Sequence, residues 1–445
     1  MDKKNKSTLV EKKYLLTFVL ITCLFALWGF ANDITNPMVA AFQTIMEISA
    51  AKASLVQFAF YGGYATMAIP AALFVRRYSY KKGILLGLAL YAVGAFMFIP
   101  AAQYQQFSFF CISLYVLTFG LAFLETTANP FILSLGSKES STRRLNFSQA
   151  FNPMGSLTGM FVATNFVLSR LQSDTPEVRE VGFSALDAAQ KAAIREHDLN
   201  VIRDPYVALG CVVLLMFIVI AIFVKVRKKN HSSQDVEQIM EPEKKVPTSL
   251  SLKRLFANNE YREGVIAQLF YVATQIMCWT FIIQYADNLG INKATAQWYN
   301  ICAMVIFLCG RFISTFLMKY VNSHKLLTIF AIGGMCTTLG TVFINGMGGL
   351  YCLVATSAFM SLMFPTIYGI ALENVDREDT TLGAAFLVMA IVGGALMPPM
   401  QGKIIDCKQL FGMPAVNVSF ILPFICFVVI AIYGYRSLKF KMERG

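Results

Sequence analysis

Charge is the first thing this sequence is short of. Only 14% of its 445 residues are Asp, Glu, Lys or Arg, well below the roughly 25% of an ordinary soluble domain. Histidine is nearly absent. His197, His231 and His324 all fall in polar stretches, which leaves no histidine to carry a proton inside an apolar segment. There is no GxxxxGK[ST] phosphate loop, so ATP hydrolysis has no engine here. Nor is there a Ser/His/Asp set, a metal-ligand cluster or a haem ligand pair within the apolar runs, which argues against an enzyme and against a bound cofactor. The ten cysteines show no CxxC spacing and sit mostly inside apolar runs (Cys23, Cys111, Cys211, Cys278, Cys302, Cys309), as small packing hydrophobes do. The net charge is +12, but the basic residues are dispersed over many loops rather than gathered in a stripe. That excludes a nucleic-acid-binding face.

What is present is apolar length. Hydrophobic residues make up 56% of the chain and the mean hydropathy is +0.57. Ile84 to Ala102, Gln106 to Leu124 and Pro205 to Val224 each lack any charged residue. Each approaches the roughly 20 residues with which a helix crosses about 30 Å of hydrocarbon. Only helices and closed barrels satisfy their backbone in lipid, and these runs are too long and unbroken for barrel strands. The pattern predicts an all-α membrane protein of about twelve transmembrane helices, at 14–45, 53–75, 83–101, 106–135, 146–170, 205–226, 261–288, 294–318, 326–345, 349–372, 381–405 and 415–436. The first run is too long for a cleaved signal sequence and reads as a retained span.

The charged stretch from Arg227 to Glu260 divides the chain six spans and six. The expected organisation is an N-terminal six-helix bundle over 1–226, a cytoplasmic linker over 227–260, and a C-terminal six-helix bundle with its tail over 261–445. A polar, outward insert fills 171–204, with a short amphipathic helix expected within 177–200. Basic residues at Lys12–Lys13, Arg76–Arg77, Lys81–Lys82, Arg143–Arg144 and Lys439–Lys441 fall on one side if the spans alternate, which puts both termini in the cytoplasm. A faint internal repeat supports the halves. Pro130 and Pro365 are separated by 365 − 130 = 235 residues, and Ala150-Phe151 and Ala385-Phe386 by 385 − 150 = 235. Repeated halves of this kind occur in transporters that bind substrate near the midplane.

Polar groups inside the spans carry the chemistry, because each is costly to place in lipid. Glu125, in LAFLETTANPF, lies far from other charges. Thr126, Thr127 and Asn129 follow it, and Pro130 frees a backbone carbonyl one turn earlier. This is the expected proton carrier. Asp33, in span one, is the second acid, with Asn32 and Asn36 beside it and Pro37 after them. It reads either as a titratable group or as the polar outer end of the span. Gln149 and Asn152 are three apart in span five and so share a face. Gln268, Gln275 and Gln284 punctuate span seven, beside Tyr271 and Trp279. Amides both donate and accept, which suits neutral hydroxyls, and aromatic faces stack on sugar rings. Arg311, in span eight, is expected either to pair with a carboxylate across the bundle or to snorkel to the inner interface.

The stretches LWGFANDITNP, FYGGYATMAIPA, LETTANPF, RLNFSQAFNPMGS, QLFYVATQIMCWTF, GRFISTF, SAFMSLMFPTIYGIALEN and VMAIVGGALMPPM resemble the fucose–galactose–glucose:proton symporter family, a branch of the major facilitator superfamily. The resemblance covers nearly the whole chain. It implies a monomeric importer in the inner (plasma) membrane that moves a monosaccharide with a proton by alternating access, driven by the proton gradient and needing no cofactor. L-Fucose is the first expectation; glucose or galactose, or a membrane sugar sensor, are the alternatives. The resemblance also implies proton coupling at Glu125. Asn36, Gln149, Asn152, Gln275, Trp279 and Asn129 would face the sugar. At the family's span-one acid position this sequence has Asn36, with Asp33 three residues earlier.

Overall fold

A computed structural model describes residues 9–10, 14–35, 38–48, 52, 55–223, 246–291, 293–405, 407 and 409–444. The described chain is almost entirely helical. In order, it forms α1 (Leu15–Thr35), α2 (Met38–Ile45), α3 (Leu55–Arg77), α4 (Tyr80–Phe96), α5 (Phe98–Tyr104), α6 (Phe107–Ser134), α7 (Ser141–Gln149), α8 (Phe151–Val162), α9 (Pro176–Val181) and α10 (Ala188–Phe223). After the linker come α11 (Thr248–Ala257), α12 (Asn259–Thr280), α13 (Ile282–Asn288), α14 (Lys293–Leu317), α15 (Ser323–Phe343), α16 (Met347–Met360), α17 (Met363–Glu373), α18 (Arg377–Met389), α19 (Gly393–Ile405), α20 (Ala415–Ser419) and α21 (Ile421–Arg444). A two-residue hairpin pairs Gln409–Leu410 with Met413–Pro414. It turns through Phe411 and Gly412, both at positive φ, the backbone a tight hairpin requires.

Ten helical stretches among the described residues are long and apolar enough to cross a membrane. Two of the expected spans, five and seven, are helical but fall outside that set, and each for a physical reason. Span five is divided: α7 ends at Gln149, α8 starts at Phe151, and a π-helical turn follows at Ala163–Val167. Span seven is α12 followed, after a turn at Phe281, by α13, and α12 carries Glu260, Arg262, Glu263, Gln268 and Gln275. These are the two spans in which the sequence concentrates its amides.

Two features differ from the sequence reading. The insert 171–204 does not end in a separate short helix. α10 runs 36 residues straight through Pro205, about 54 Å at 1.5 Å per residue, so the outer part of the insert continues span six. A proline removes one hydrogen bond, that to the Val201 carbonyl, and does not by itself end a helix. The cysteines also differ. Cys278 and Cys426 are buried, whereas Cys23, Cys211, Cys302, Cys309, Cys336 and Cys407 are exposed, so most of them lie on helix surfaces rather than in the core.

The backbone clusters into two compact units. One comprises Met1–Phe18, Asn129–Pro153 and Glu243–Gly445; the other comprises Val19–Ala128 and Met154–Pro242. In the first unit α7 packs against α14 and α17. Asn146 donates to Thr366 Oγ1 at 3.1 Å, and a Cβ at Gly369 would meet Thr142. Arg144 is fully buried in this unit and closes the end of α6. Its guanidinium donates to the carbonyls of Ile132 (3.1 Å), Leu133 (2.7 Å) and Ser137 (3.2 Å) and to Ser140 Oγ (2.7 Å). The last carbonyls of a helix lack partners within it, and a cation there also meets the negative end of the helix dipole.

The second unit is held by close helix contact. A Cβ at Gly155 would run into the carbonyl of Ala26, and one at Gly120 into the backbone of Tyr91. One end of it is tied electrostatically. Glu47, at positive φ after α2, accepts from Lys191 at 2.9 Å and Arg195 at 3.1 Å of α10. The Lys191 hydrogen bond and the two nearby cations hold the Glu47 carboxyl below the usual carboxylate range. The tie is therefore complete above the ordinary carboxylate pKa and fades as acid protonates Glu47. Asp198, fully buried, takes the backbone N–H groups of Gln172 (2.8 Å) and Ser173 (2.9 Å) and so anchors the insert.

Gly155→Val forces two packed backbones apart. The expected loss is about 1–3 kcal/mol, read as a lower unfolding temperature of the detergent-solubilised protein; an unchanged temperature would show that α1 and α8 do not pack at this point.

Candidate functional site

In the second unit the two acids stand opposite tyrosines of α3. Glu125 sits mid-length in α6, which continues unbroken past Pro130 to Ser134. The residue is only partly exposed, and its Oε2 is buried with no hydrogen-bond partner among the described residues. Tyr64 lies within electrostatic reach of it. Asp33, near the end of α1, is 6% exposed and receives a long contact from Asn32 Nδ2 at 3.5 Å. Tyr61 stands in its field. Asp33 is thus not a solvated outer end; it is buried. Asn36, the other residue expected here, lies outside the described residues. Trp28, on α1, is buried with its indole N–H unpartnered among the described residues and its ring edge-on to Phe25 at 4.4 Å.

In the first unit the amides are built around a broken helix. The regular helical donor for the Gln149 carbonyl would be the N–H of residue 153, and residue 153 is proline. Arg311 of α14 supplies the missing donor, Nη1 to Gln149 O at 2.9 Å, with a longer contact to Gln149 Oε1 at 3.4 Å. Gln149 Nε2 in turn donates to Asn129 Oδ1 at 2.9 Å. Neither expectation for Arg311 describes this. The side chain is 3% exposed, so it does not snorkel, and it makes no ion pair with a carboxylate among the described residues. Its guanidinium lies over the Phe307 ring at 4.9 Å and beside the Tyr271 hydroxyl.

Span ten repeats the arrangement. α16 stops at Met360, two residues form a turn, and α17 resumes ahead of Pro365. The Tyr271 hydroxyl donates to the Met360 carbonyl at 3.2 Å. Two neighbouring side chains, Arg311 and Tyr271, therefore satisfy the carbonyls that two helix breaks leave open.

The expected sugar-facing residues separate by how engaged they are. Gln149 and Asn129 are buried and bonded to each other, although Asn129 Nδ2 keeps no partner among the described residues. Asn152, Gln275 and Trp279 are partly exposed. The Trp279 indole N–H donates to Ser357 Oγ at 3.2 Å, and its ring stands edge-on to Phe307 at 4.9 Å. Sequence reasoning did not single out Tyr61, Tyr64 or Ser357. The FYGGY stretch carries the available signal: two tyrosines three apart, on one helix face, around glycines that allow close packing.

His324 lies in a polar stretch of the sequence. It is nonetheless fully buried at the start of α15, with Nδ1 3.0 Å from Ser437 Oγ and Nε2 2.8 Å from Glu373 Oε2. Lys441 donates to Glu373 Oε1 at 2.7 Å. The cluster joins α15, α17 and α21.

Comparison with known proteins places this geometry. The family model for the Major Facilitator Superfamily matches residues 19–398. The chain is 62% identical to the L-fucose-proton symporter of Haemophilus influenzae, over 97% of this chain and 98% of that protein. It is 29% identical to the glucose/galactose transporter of Brucella abortus, over 98% and 97%. A crystal structure of the Escherichia coli fucose:proton symporter, FucP, in the outward conformation superposes with a TM-score of 0.83 at 33% identity, covering 96% of this chain and 99% of that one. The proton:xylose symporter XylE shares the fold at 14% identity and a TM-score of 0.67. The chain belongs to the Major Facilitator Superfamily.

Proposed function

We propose that this protein is a multi-pass inner-membrane transporter, not an enzyme, which imports L-fucose together with a proton. The observation that carries this reading is the 62% identity, over nearly the full length of both chains, to a protein named as an L-fucose-proton symporter. The intramembrane acid that such coupling needs is present at Glu125. The more distant likeness to a glucose/galactose transporter supports the second reading, a proton-coupled importer of those hexoses. Both termini are read as cytoplasmic, the protein as a monomer, and the energy as the proton gradient without a bound cofactor.

The chemistry follows from what each group can do. Glu125 has one carboxyl oxygen without a partner. An unpaired charge in a low-dielectric site is costly, so taking up a proton removes a charge that opposes reorientation. Asp33, buried beside Tyr61, is read as the second titratable group of the same unit. Asn152, Gln275 and Trp279 offer the exposed amide and aromatic surface that recognises hydroxyls and the C–H face of a ring. Gln149, already held by Arg311 and Asn129, is read as fixing the wall that presents them. Alternating access then releases sugar and proton on the inner side.

Uptake of labelled L-fucose into proteoliposomes, with and without an inward proton gradient, tests the whole reading. Accumulation driven by the gradient and competed by L-fucose over glucose and galactose is expected. Preference for the hexoses would favour the second reading, and no uptake of any sugar would defeat both.

Four variants test the roles. Glu125→Gln mimics the protonated acid, so sugar exchange should persist while gradient-driven accumulation falls to the equilibrium ratio; accumulation at the wild-type level would remove Glu125 from coupling. Asn152→Ala should weaken equilibrium binding in detergent by a few-fold to about tenfold, the effect of losing one neutral hydrogen bond worth about 0.5–1.5 kcal/mol. Gln149→Ala should weaken binding too, through loss of the wall; unchanged affinity in both would take span five out of the site. Asp33→Asn should shift the pH profile of uptake, whereas an unaltered profile would leave Glu125 as the sole proton site.

A further inference from the structure

Gln268 is the most anomalous side chain in the first unit. It lies in the middle of α12 and is fully buried, yet neither its Nε2 nor its Oε1 has a hydrogen-bond partner among the described residues. Tyr433 of α21 is 3% exposed, and its hydroxyl is likewise unpartnered. The two belong to one locality. Gly264 is one turn before Gln268 on the same face of α12, and a Cβ there would stand 2.9 Å from the Tyr433 hydroxyl and 2.5 Å from Ala371 Cβ of α17. The absence of a side chain at residue 264 is what lets the tyrosine hydroxyl approach α12 just below the amide.

We propose that Gln268 and Tyr433 form a buried water-binding site between α12, α17 and α21. A buried amide with both ends unsatisfied carries a large desolvation cost, and a structural water with two to four polar partners offsets it. The amide offers two donors and an acceptor, and the phenol one of each, which is the set that a small cluster of waters requires. An apolar ligand would leave all of them unsatisfied, and neither Gln268 nor Tyr433 carries a charge to ligate an ion.

Other polar groups lie along the same helices on either side of the site. Below it, Tyr433 stands in the field of Glu260, Glu263 and Glu373. Glu260 is buried and accepts from Asn374 at 2.9 Å, and Glu373 holds His324 and Lys441. Above it, three residues along α12, Tyr271 closes the span-ten break beside Arg311.

Radiolytic hydroxyl labelling of the intact protein in ¹⁸O water tests the site, because buried side chains label quickly only where water is bound. Tyr261 is the internal control: it is equally buried, and its hydroxyl donates to the Gly383 carbonyl at 2.8 Å. Tyr433 is expected to label at least about threefold faster than Tyr261. Gln268→Leu should cut the Tyr433 rate to near that of Tyr261 without changing the control. Equal rates at Tyr433 and Tyr261 in the unmutated protein would overturn the proposal whether or not the variant folds, as would an undiminished Tyr433 rate in a folded Gln268→Leu protein.

Discussion

One missing hydrogen bond organises the C-terminal part of this protein. Pro153 cannot donate to the Gln149 carbonyl, and in lipid an unsatisfied carbonyl is expensive. Arg311 crosses from α14 to supply the donor at 2.9 Å. That single contact fixes where span five bends, where the Gln149 side chain points and which neighbour, Asn129, it can hold. It also gives a reason for a cation in an apolar span that faces no carboxylate. A guanidinium has five donors in a planar fork, enough to serve a carbonyl and an amide oxygen on one edge while its face lies over Phe307.

Tyr271 extends the same logic to span ten. Its hydroxyl takes the Met360 carbonyl where α16 stops, and it stands beside Arg311. Broken helices are tolerated at membrane depth only where neighbouring groups satisfy them again. Here the two breaks share adjacent caps, so movement at either one is felt at the other. In a protein that must present alternate sides of a site, coupling of that kind is mechanically useful: the wall bends at defined points rather than along its length.

The N-terminal acids obey a different rule. Glu125 has no cation beside it among the described residues, and one of its oxygens is left without a partner. A strong ion pair would hold the carboxylate permanently charged. A tyrosine nearby and an open hydrogen-bonding position are what the proposed proton carrier has around it. Asp33 is buried next to Tyr61. Glu47 is tied to Lys191 and Arg195 at one end of the unit and is structural.

The sequence by itself determined the class and the residues worth attention. Those follow from local properties: twenty-residue apolar runs have one solution in lipid, and an isolated Glu125 or Arg311 in such a run is conspicuous however the chain folds. The separation of prolines 130 and 365 from their neighbours was visible too, but not its outcome, since α6 continues through Pro130 whereas span ten breaks ahead of Pro365. Whether a freed carbonyl is tolerated in place or opens the helix depends on what side chain from another helix can reach it. For the same reason only the tertiary structure decided that Arg311 caps a backbone carbonyl instead of an acid, that His324 is buried against Glu373, and that the Tyr433 hydroxyl approaches α12 at Gly264. Each is a contact between residues more than 45 positions apart in sequence, and no local pattern encodes a partner at that distance.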